Sequence, residues 1–241
     1  MSRPTAPSAA PSAPESAPQK RVAVLLAGCG YLDGAEIAEA VLSLLALDRA
    51  GAAVQCAAPD KPQHHVIDHV TGEPTGESRN VLTEAARIAR GRIVAVSEIR
   101  AADFDAVFLP GGFGAAKNLS TVAFDGAKAT VDPEVARVIR EFRAAGKPIG
   151  AVCIAPAVVV AVLREGTVTI GDDADTAAAI VAMGGTNIAC TVTEVHVDRK
   201  RRVVTAPAYM YGDARISNVA AGIDKAVAAM LELVGQPPEL T

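Results

Sequence analysis

Tryptophan is absent from this 241-residue chain, and aromatic residues make up only 3% of it. Half of the residues are nonetheless hydrophobic, and most of those are Ala and Val. A core of such small aliphatic side chains suits a parallel sheet covered by helices. Positive charge is also in short supply. A formal net charge of -4 argues against a general binder of nucleic acid or of acidic membranes. The one basic run, Arg199-Lys200-Arg201-Arg202, separates two strand-like segments and reads as a solvated hairpin turn. The four cysteines, Cys29, Cys56, Cys153 and Cys190, lack CxxC spacing, so reduced thiols are expected rather than a disulfide framework. No uninterrupted apolar stretch is long enough to cross a bilayer. The apolar segment 154–163 is short and fits a buried helix.

Residues 1–20 form a Pro/Ala/Ser-rich tail with almost no bulky apolar side chains. Such a segment cannot bury enough surface to offset ordering entropy and is expected to be disordered. It lacks the apolar centre of a secretory signal and the cationic content of a transit peptide, so a cytoplasmic location is expected. From Arg21 the texture changes, and residues 21–235 are expected to form one domain. Apolar runs at 22–27, 53–58, 106–109 and 148–152 read as strands. Residues 36–50, 80–90, 133–145 and 214–234 read as helices, with a further apolar helix directly after Cys153. The segments 191–197 and 202–206 read as a strand pair. Residues 61–79 are polar and irregular, long for a loop, and therefore a candidate functional segment. Strands alternating with helices imply right-handed crossovers and a mostly parallel sheet. In such a sheet the site lies beyond the carboxyl ends of the strands.

Three loops fall at those ends. In Gly150-Ala151-Val152-Cys153-Ile154-Ala155-Pro156, the cysteine sits where a strand turns sharply into a helix, with small residues two positions before and after it. This is the pattern of a nucleophile elbow. The positive end of the helix favours a thiolate there; an inert buried cysteine is the alternative. In Pro110-Gly111-Gly112-Phe113-Gly114, the paired glycines allow backbone amides to approach closely. With the Ile154 amide they could hold an oxyanion. Asn118, further along this segment, is a candidate for substrate binding. In Gly28-Cys29-Gly30-Tyr31-Leu32-Asp33-Gly34-Ala35-Glu36, the glycine spacing approaches a dinucleotide fingerprint, but Gly34 falls late and Asp33 and Glu36 are acidic where a pyrophosphate would bind. Glu36 either caps the following helix or acts as a catalytic acid/base. His64, His65 and His69 match no compact metal-ligand spacing, so no metal is expected. His196 reads as a structural residue.

Taken in order, GCGYLDGAEI, LPGGFGAAKNL, AVCIAPA and TAPAYM, together with HVTGEPTGESRNVLTEAARIARG, resemble the ElbB-like group associated with isoprenoid biosynthesis. That group lies in the PfpI-type branch of the class I glutamine amidotransferase-like superfamily. The resemblance runs from Arg21 to about Val234. It implies a flavodoxin-like three-layer α/β sandwich and a homodimer. It puts the nucleophile on Cys153, its partner carboxylate on Glu36 and the paired glycines on Gly111 and Gly112. It also implies a glutathione-independent glyoxalase that converts small dicarbonyls to hydroxy acids without a cofactor, with deglycation or a redox-sensing or chaperone-like role as alternatives. Many superfamily members carry a histidine at or near the position of Ile154; here none follows until His196, so glutamine hydrolysis is not implied. His69 is the candidate third residue, approaching from the long loop. Cys29 is either a second thiol in the pocket or a small packing residue.

Overall fold

A computed structural model describes residues 19–237. Most of the expected disordered tail, residues 1–18, lies outside them. In chain order the elements are β1 (Arg21–Leu25), α1 (Ile37–Arg49), β2 (Ala53–Ala58), α2 (Val81–Ile88), β3 (Ile93–Ala95), β4 (Ala106–Leu109), α3 (Phe113–Lys117), α4 (Val122–Asp125), α5 (Pro133–Ala144), β5 (Ile149–Val152), α6 (Ala155–Leu163), β6 (Thr167–Val168), α7 (Ala174–Ala182), β7 (Thr186–Asn187), β8 (His196–Asp198), β9 (Val203–Ala206) and α8 (Ile216–Leu233). Seven strands form one sheet in the order β3-β2-β1-β4-β5-β9-β8. Every pairing in it is parallel except the β8–β9 hairpin. β6 and β7 make a separate two-stranded parallel ribbon.

The sheet is apolar on both faces because both faces are covered. Along β1, Ala23 and Leu25 point into one core with helices α5 and α6, while Val22 and Val24 point into the other with α1 and α8. β4 alternates in the same way, with Val107 and Leu109 on one side and Ala106 and Phe108 on the other. The result is a flavodoxin-like three-layer sandwich. Helix starts follow local chemistry. The Asn80 side chain caps α2 and the Asp132 side chain caps α5, which has Pro133 in its first turn. Among the described residues, no helix is long and apolar enough to cross a membrane.

Three local expectations change. The stretch from Thr191 forms a turn rather than a strand, because the Glu194 carboxylate accepts the Thr191 amide at 2.7 Å and the Glu194 amide returns to the Thr191 carbonyl. Only His196–Asp198 pairs with β9. The basic run does form the hairpin turn, yet it is not simply solvated. Arg202 is buried and donates to the Leu233 and Gln236 carbonyls at the end of α8. Arg201 pairs with Glu165 and Asp198. Third, the segment after α6 contains a helix beyond those expected, α7, whose first turn is capped by Asp173.

Candidate functional site

β1, β4 and β5 are neighbours in the sheet, so the loops that leave their carboxyl ends meet. The chain turns from β5 into α6 through Cys153, which has φ of 59°. A non-glycine residue in this left-handed region carries strain, and here the strain projects the side chain out of the strand path. The Cys153 amide is held by the Ala206 carbonyl of β9 at 3.0 Å. The backbone amides of Gly112 and Ile154 lie close enough to the sulfur to favour its charged form. Gly112 has φ of 94°, and a Cβ there would lie 2.3 Å from the Glu36 nitrogen. A Cβ on Gly111 would lie 2.3 Å from the Cys153 Cβ and 2.6 Å from Glu39 Oε2. The double glycine is therefore what lets the β4 loop close over the sulfur.

The carboxylate brought to the sulfur is Glu39, on the inner face of α1. It is fully buried. Its Oε2 accepts the Gly111 amide at 3.0 Å and its Oε1 accepts the Tyr209 amide at 2.9 Å. Its carboxyl and the Cys153 sulfur both crowd Gly111: a Cβ there would lie 2.6 Å from Glu39 Oε2 and 2.9 Å from Cys153 Sγ. Burial pushes the Glu39 carboxyl up to about 8, with the amide of Tyr209 opposing. Burial, and then the charge of Glu39, push the Cys153 thiol up as well, against the pull of the Gly112 and Ile154 amides. The two groups share one dry compartment, so they carry at most one negative charge between them at neutral pH. The expectation of a resting free thiolate is corrected accordingly: the helix terminus and the amides are present, but desolvation outweighs them.

The sulfur opens onto a pocket of about 260 Å³. Glu36, Gly112, Phe113, Ile154, Tyr209 and Met210 are among the residues that line it. Glu36, expected to partner the sulfur, instead caps α1: its Oε2 accepts the Glu39 amide at 2.5 Å. It lines the pocket but is not the carboxyl set beside the thiol. The signal that could have found Glu39 is periodicity. Glu39 shares the buried face of α1 with Ala40, Ser43, Ala46 and Leu47, and a carboxylate on such a face needs dedicated partners.

Gly111, Gly112, Ile154 and Cys153 are thus brought together, with Gly111 donating to Glu39 rather than to an oxyanion position. The other candidates are not. Asn118 is buried and spends its amide on the Ala27 and Asp33 carbonyls, while its oxygen accepts the His64 amide. It fastens the long loop and the 28–35 loop to the body. His69 accepts the Leu32 amide at 3.3 Å through Nε2 and donates to the Ile67 carbonyl from Nδ1 at 3.0 Å. Its ring meets the edge of Tyr31, which itself lines the pocket. His69 thus stands behind the wall. Cys29 is absent from the lining; its thiol is raised by burial and then by the charge of Glu84. Among the described residues there is no cluster of side chains arranged to hold a metal ion.

Residues 20–209 match the model of the DJ-1/PfpI family. Over 226 residues the chain is 52% identical to the human glutamine amidotransferase-like class 1 domain-containing protein 3, mitochondrial, covering 90% of this chain and 84% of the relative. It is 48% identical over 244 residues to the rat ES1 protein homolog, mitochondrial, covering 97% and 91%. A solved structure of an isoprenoid biosynthesis protein with an amidotransferase-like domain from Ehrlichia chaffeensis superposes with a TM-score of 0.84 at 43% identity, covering 89% of this chain and 99% of that one. Both curated relatives are mitochondrial proteins, which overturns the expectation of a cytoplasmic location drawn from the weak N-terminal charge. Fold, matched span and identity over nearly the whole of these relatives agree: the chain belongs to the DJ-1/PfpI family.

Proposed function

We propose that the chain is a glutathione-independent glyoxalase, with Cys153 as nucleophile and Glu39 as the group that holds its proton. The observation that carries this reading is the sulfur itself, on a strained turn, facing a pocket, with two amides and a buried carboxyl against it. The DJ-1/PfpI family includes glyoxalase III members, which is consistent with that chemistry.

In the proposed reaction the sulfur adds to the aldehyde carbon of a 2-oxoaldehyde from the form of the Cys153–Glu39 pair that has lost one proton, the proton that remains being held by Glu39. The amides of Gly112 and Ile154, already close to the sulfur, lie beside the oxygen that becomes an alkoxide. That oxygen takes a proton and gives a hemithioacetal. The hydrogen on the former aldehyde carbon then leaves as a proton to Glu36, the carboxylate in the pocket wall. The resulting enediolate takes a proton back from Glu36 on the neighbouring carbon, and the hemithioacetal hydroxyl passes its proton to the former ketone oxygen, forming a thioester of the hydroxy acid. Water cleaves the thioester and restores the thiol. One carbon is oxidised and its neighbour reduced within the same molecule, so the electrons balance without an external redox partner. A general acid/base contributes on the order of 10²–10⁴-fold. The division of labour follows burial: Glu39 has no solvent-facing surface, whereas Glu36 is half-buried at the pocket.

The test is product analysis with glyoxal and methylglyoxal in deuterated water, without glutathione. Glycolate and lactate carrying solvent deuterium on the second carbon are expected. Absence of either acid above the buffer rate would overturn the assignment. Ile37, Val41 and Leu45 stand on the outer face of α1 at four-residue spacing and are exposed. This apolar stripe supports a homodimer, which light scattering should show as twice the chain mass.

A further inference from the structure

The pocket beside Cys153 is one-sided in charge. Two of its lining residues, Glu36 and Asp173, are acidic, and none is Lys, Arg or His. Both carboxylates are fixed in place because each caps a helix: Glu36 accepts the Glu39 amide at the start of α1, and Asp173 accepts the Thr176 amide at 2.8 Å at the start of α7. Hydrogen bonds from Thr176 hold the Asp173 carboxyl below its ordinary range, so it is ionised at neutral pH. Lys117, which lies over the ring of the pocket residue Phe113, is absent from the lining. Its Nζ donates to the Leu32 carbonyl at 2.9 Å and sits 5.2 Å from the centre of the Phe113 ring. The acidity continues outward. A second depression of about 740 Å³, lined in part by Asp172 and Tyr211, the chain neighbours of the pocket residues Asp173 and Met210, holds Asp172 and Asp213 against a single Arg215. The rest of the pocket wall is mostly aromatic or aliphatic, from Tyr31, Phe113, Ile154, Tyr209 and Met210, with Thr176 as a neutral polar residue.

A carbonyl compound bearing its own carboxylate would have to bring that charge against two fixed like charges, with no basic side chain to receive it. A neutral dicarbonyl meets no such cost, and a carbonyl on a cationic chain is drawn in. We infer that Glu36 and Asp173 make the Cys153 pocket select by charge, admitting neutral and cation-bearing carbonyl compounds and rejecting those that carry a carboxylate. The inference deepens the glyoxalase reading by naming its substrate class, and it rests on Cys153 facing this pocket. Asp173 is the specificity-determining residue of the pair: it belongs to the start of α7 and not to α1, and takes no part in the proposed proton transfers.

The experiment separates charge selection from turnover. Two methanethiosulfonates with the same reacting group, one carrying a trimethylammonium and one a sulfonate, each form a mixed disulfide with a thiol and release methanesulfinate. Their rates at Cys153 are followed by peptide mass in the full chain, each divided by the rate with a free small thiol. At low ionic strength the normalised cation-to-anion ratio is expected to be roughly tenfold and to shrink in high salt. In Asp173→Asn it should fall at least about threefold, since Asn keeps the helix cap and removes only the charge. In Asp173→Lys it should fall further. A ratio near one, or one that Asp173→Asn leaves unchanged, overturns the inference. So does failure of the cationic reagent to reach Cys153. In parallel, methylglyoxal and 4,5-dioxopentanoate, a 2-oxoaldehyde that carries a carboxylate, are offered as substrates, and only methylglyoxal should be consumed. If neither is consumed while the reagent ratio holds, the glyoxalase reading fails and the charge selection stands.

Discussion

Cys153 and Cys29 both follow parallel strands in the middle of the sheet, Cys153 directly after β5 and Cys29 in the loop beyond β1. Both thiols are raised by burial. Their surroundings differ in kind. Cys153 takes a positive φ and lies beside two backbone amides and a carboxyl that is itself held by two more amides. The groups acting on Cys29 are only the distant charges of Glu84, Arg87 and Asp33. A cysteine at a strand end is therefore common ground. What separates the two is a turn strained enough to present the sulfur, and a double glycine that lets amides and Glu39 reach it.

The largest break in that comparison should come from Cys153→Ala. It removes the atom that forms the covalent intermediate, and dicarbonyl consumption should fall at least roughly 10³-fold. A variant within tenfold of wild type would remove Cys153 from the chemistry. Next comes Glu39→Gln, which keeps the shape but puts an amide nitrogen against one of two backbone donors and cannot take the thiol proton. Turnover should drop by about 10²–10³-fold. Glu36→Gln should reduce turnover through the carbon-bound proton instead, leaving the alkylation rate of Cys153 by a neutral reagent nearly unchanged. Steady-state rates read beside alkylation rates distinguish the two carboxylates.

Much of this was legible in the residues. Alternating apolar runs and glycine-closed helical segments gave the layers, and the small-residue pattern around Cys153 gave the elbow. The misplacement of the carboxylate shows where sequence reasoning loses its grip. Glu36 and Glu39 occupy one turn of the same helix, and local chemistry favours Glu36 as the visible acid at the helix start. That same chemistry consumes it as a cap. Glu39 becomes special only through groups 72 and 170 residues away in sequence, the amides of Gly111 and Tyr209. Asn118 and His69 failed for the complementary reason: their hydrogen-bonding capacity is spent on loop backbone, which no spacing rule reveals. The location was misread because a scarcity of cations in a short tail is a weak guide to targeting.

A smaller effect sharpens the same contrast through stability. Glu39 titrates at about 8 in the folded chain against 4.5 for an ordinary glutamate. The folded state thus binds this proton more tightly than the unfolded state does. The contribution of the neutral carboxyl to stability is complete below about pH 4.5 and is lost as pH rises through about 8. One proton corresponds to a slope of about 1.4 kcal/mol per pH unit at most. Urea unfolding of wild type against Glu39→Gln at several pH values should show the slope in wild type and its loss in the variant. Equal slopes would mean that the carboxyl is not held protonated by its surroundings.

The smallest expected effect belongs to Cys29→Ser. The thiol is half-buried, donates to no group the pocket uses and is absent from the pocket lining. Serine matches its size, and partial exposure lets the hydroxyl keep water as a partner. Turnover should stay within about twofold of wild type and stability within about 1 kcal/mol. Peptide mapping after a limiting dose of a neutral alkylating reagent supplies the companion measurement. With sulfur presentation set by backbone strain and amides, modification at Cys153 should proceed in Cys29→Ser as in wild type. A large loss of turnover in this variant would mean that the β1 loop contributes a second thiol to the reaction, and the distinction between the two strand-end turns would collapse.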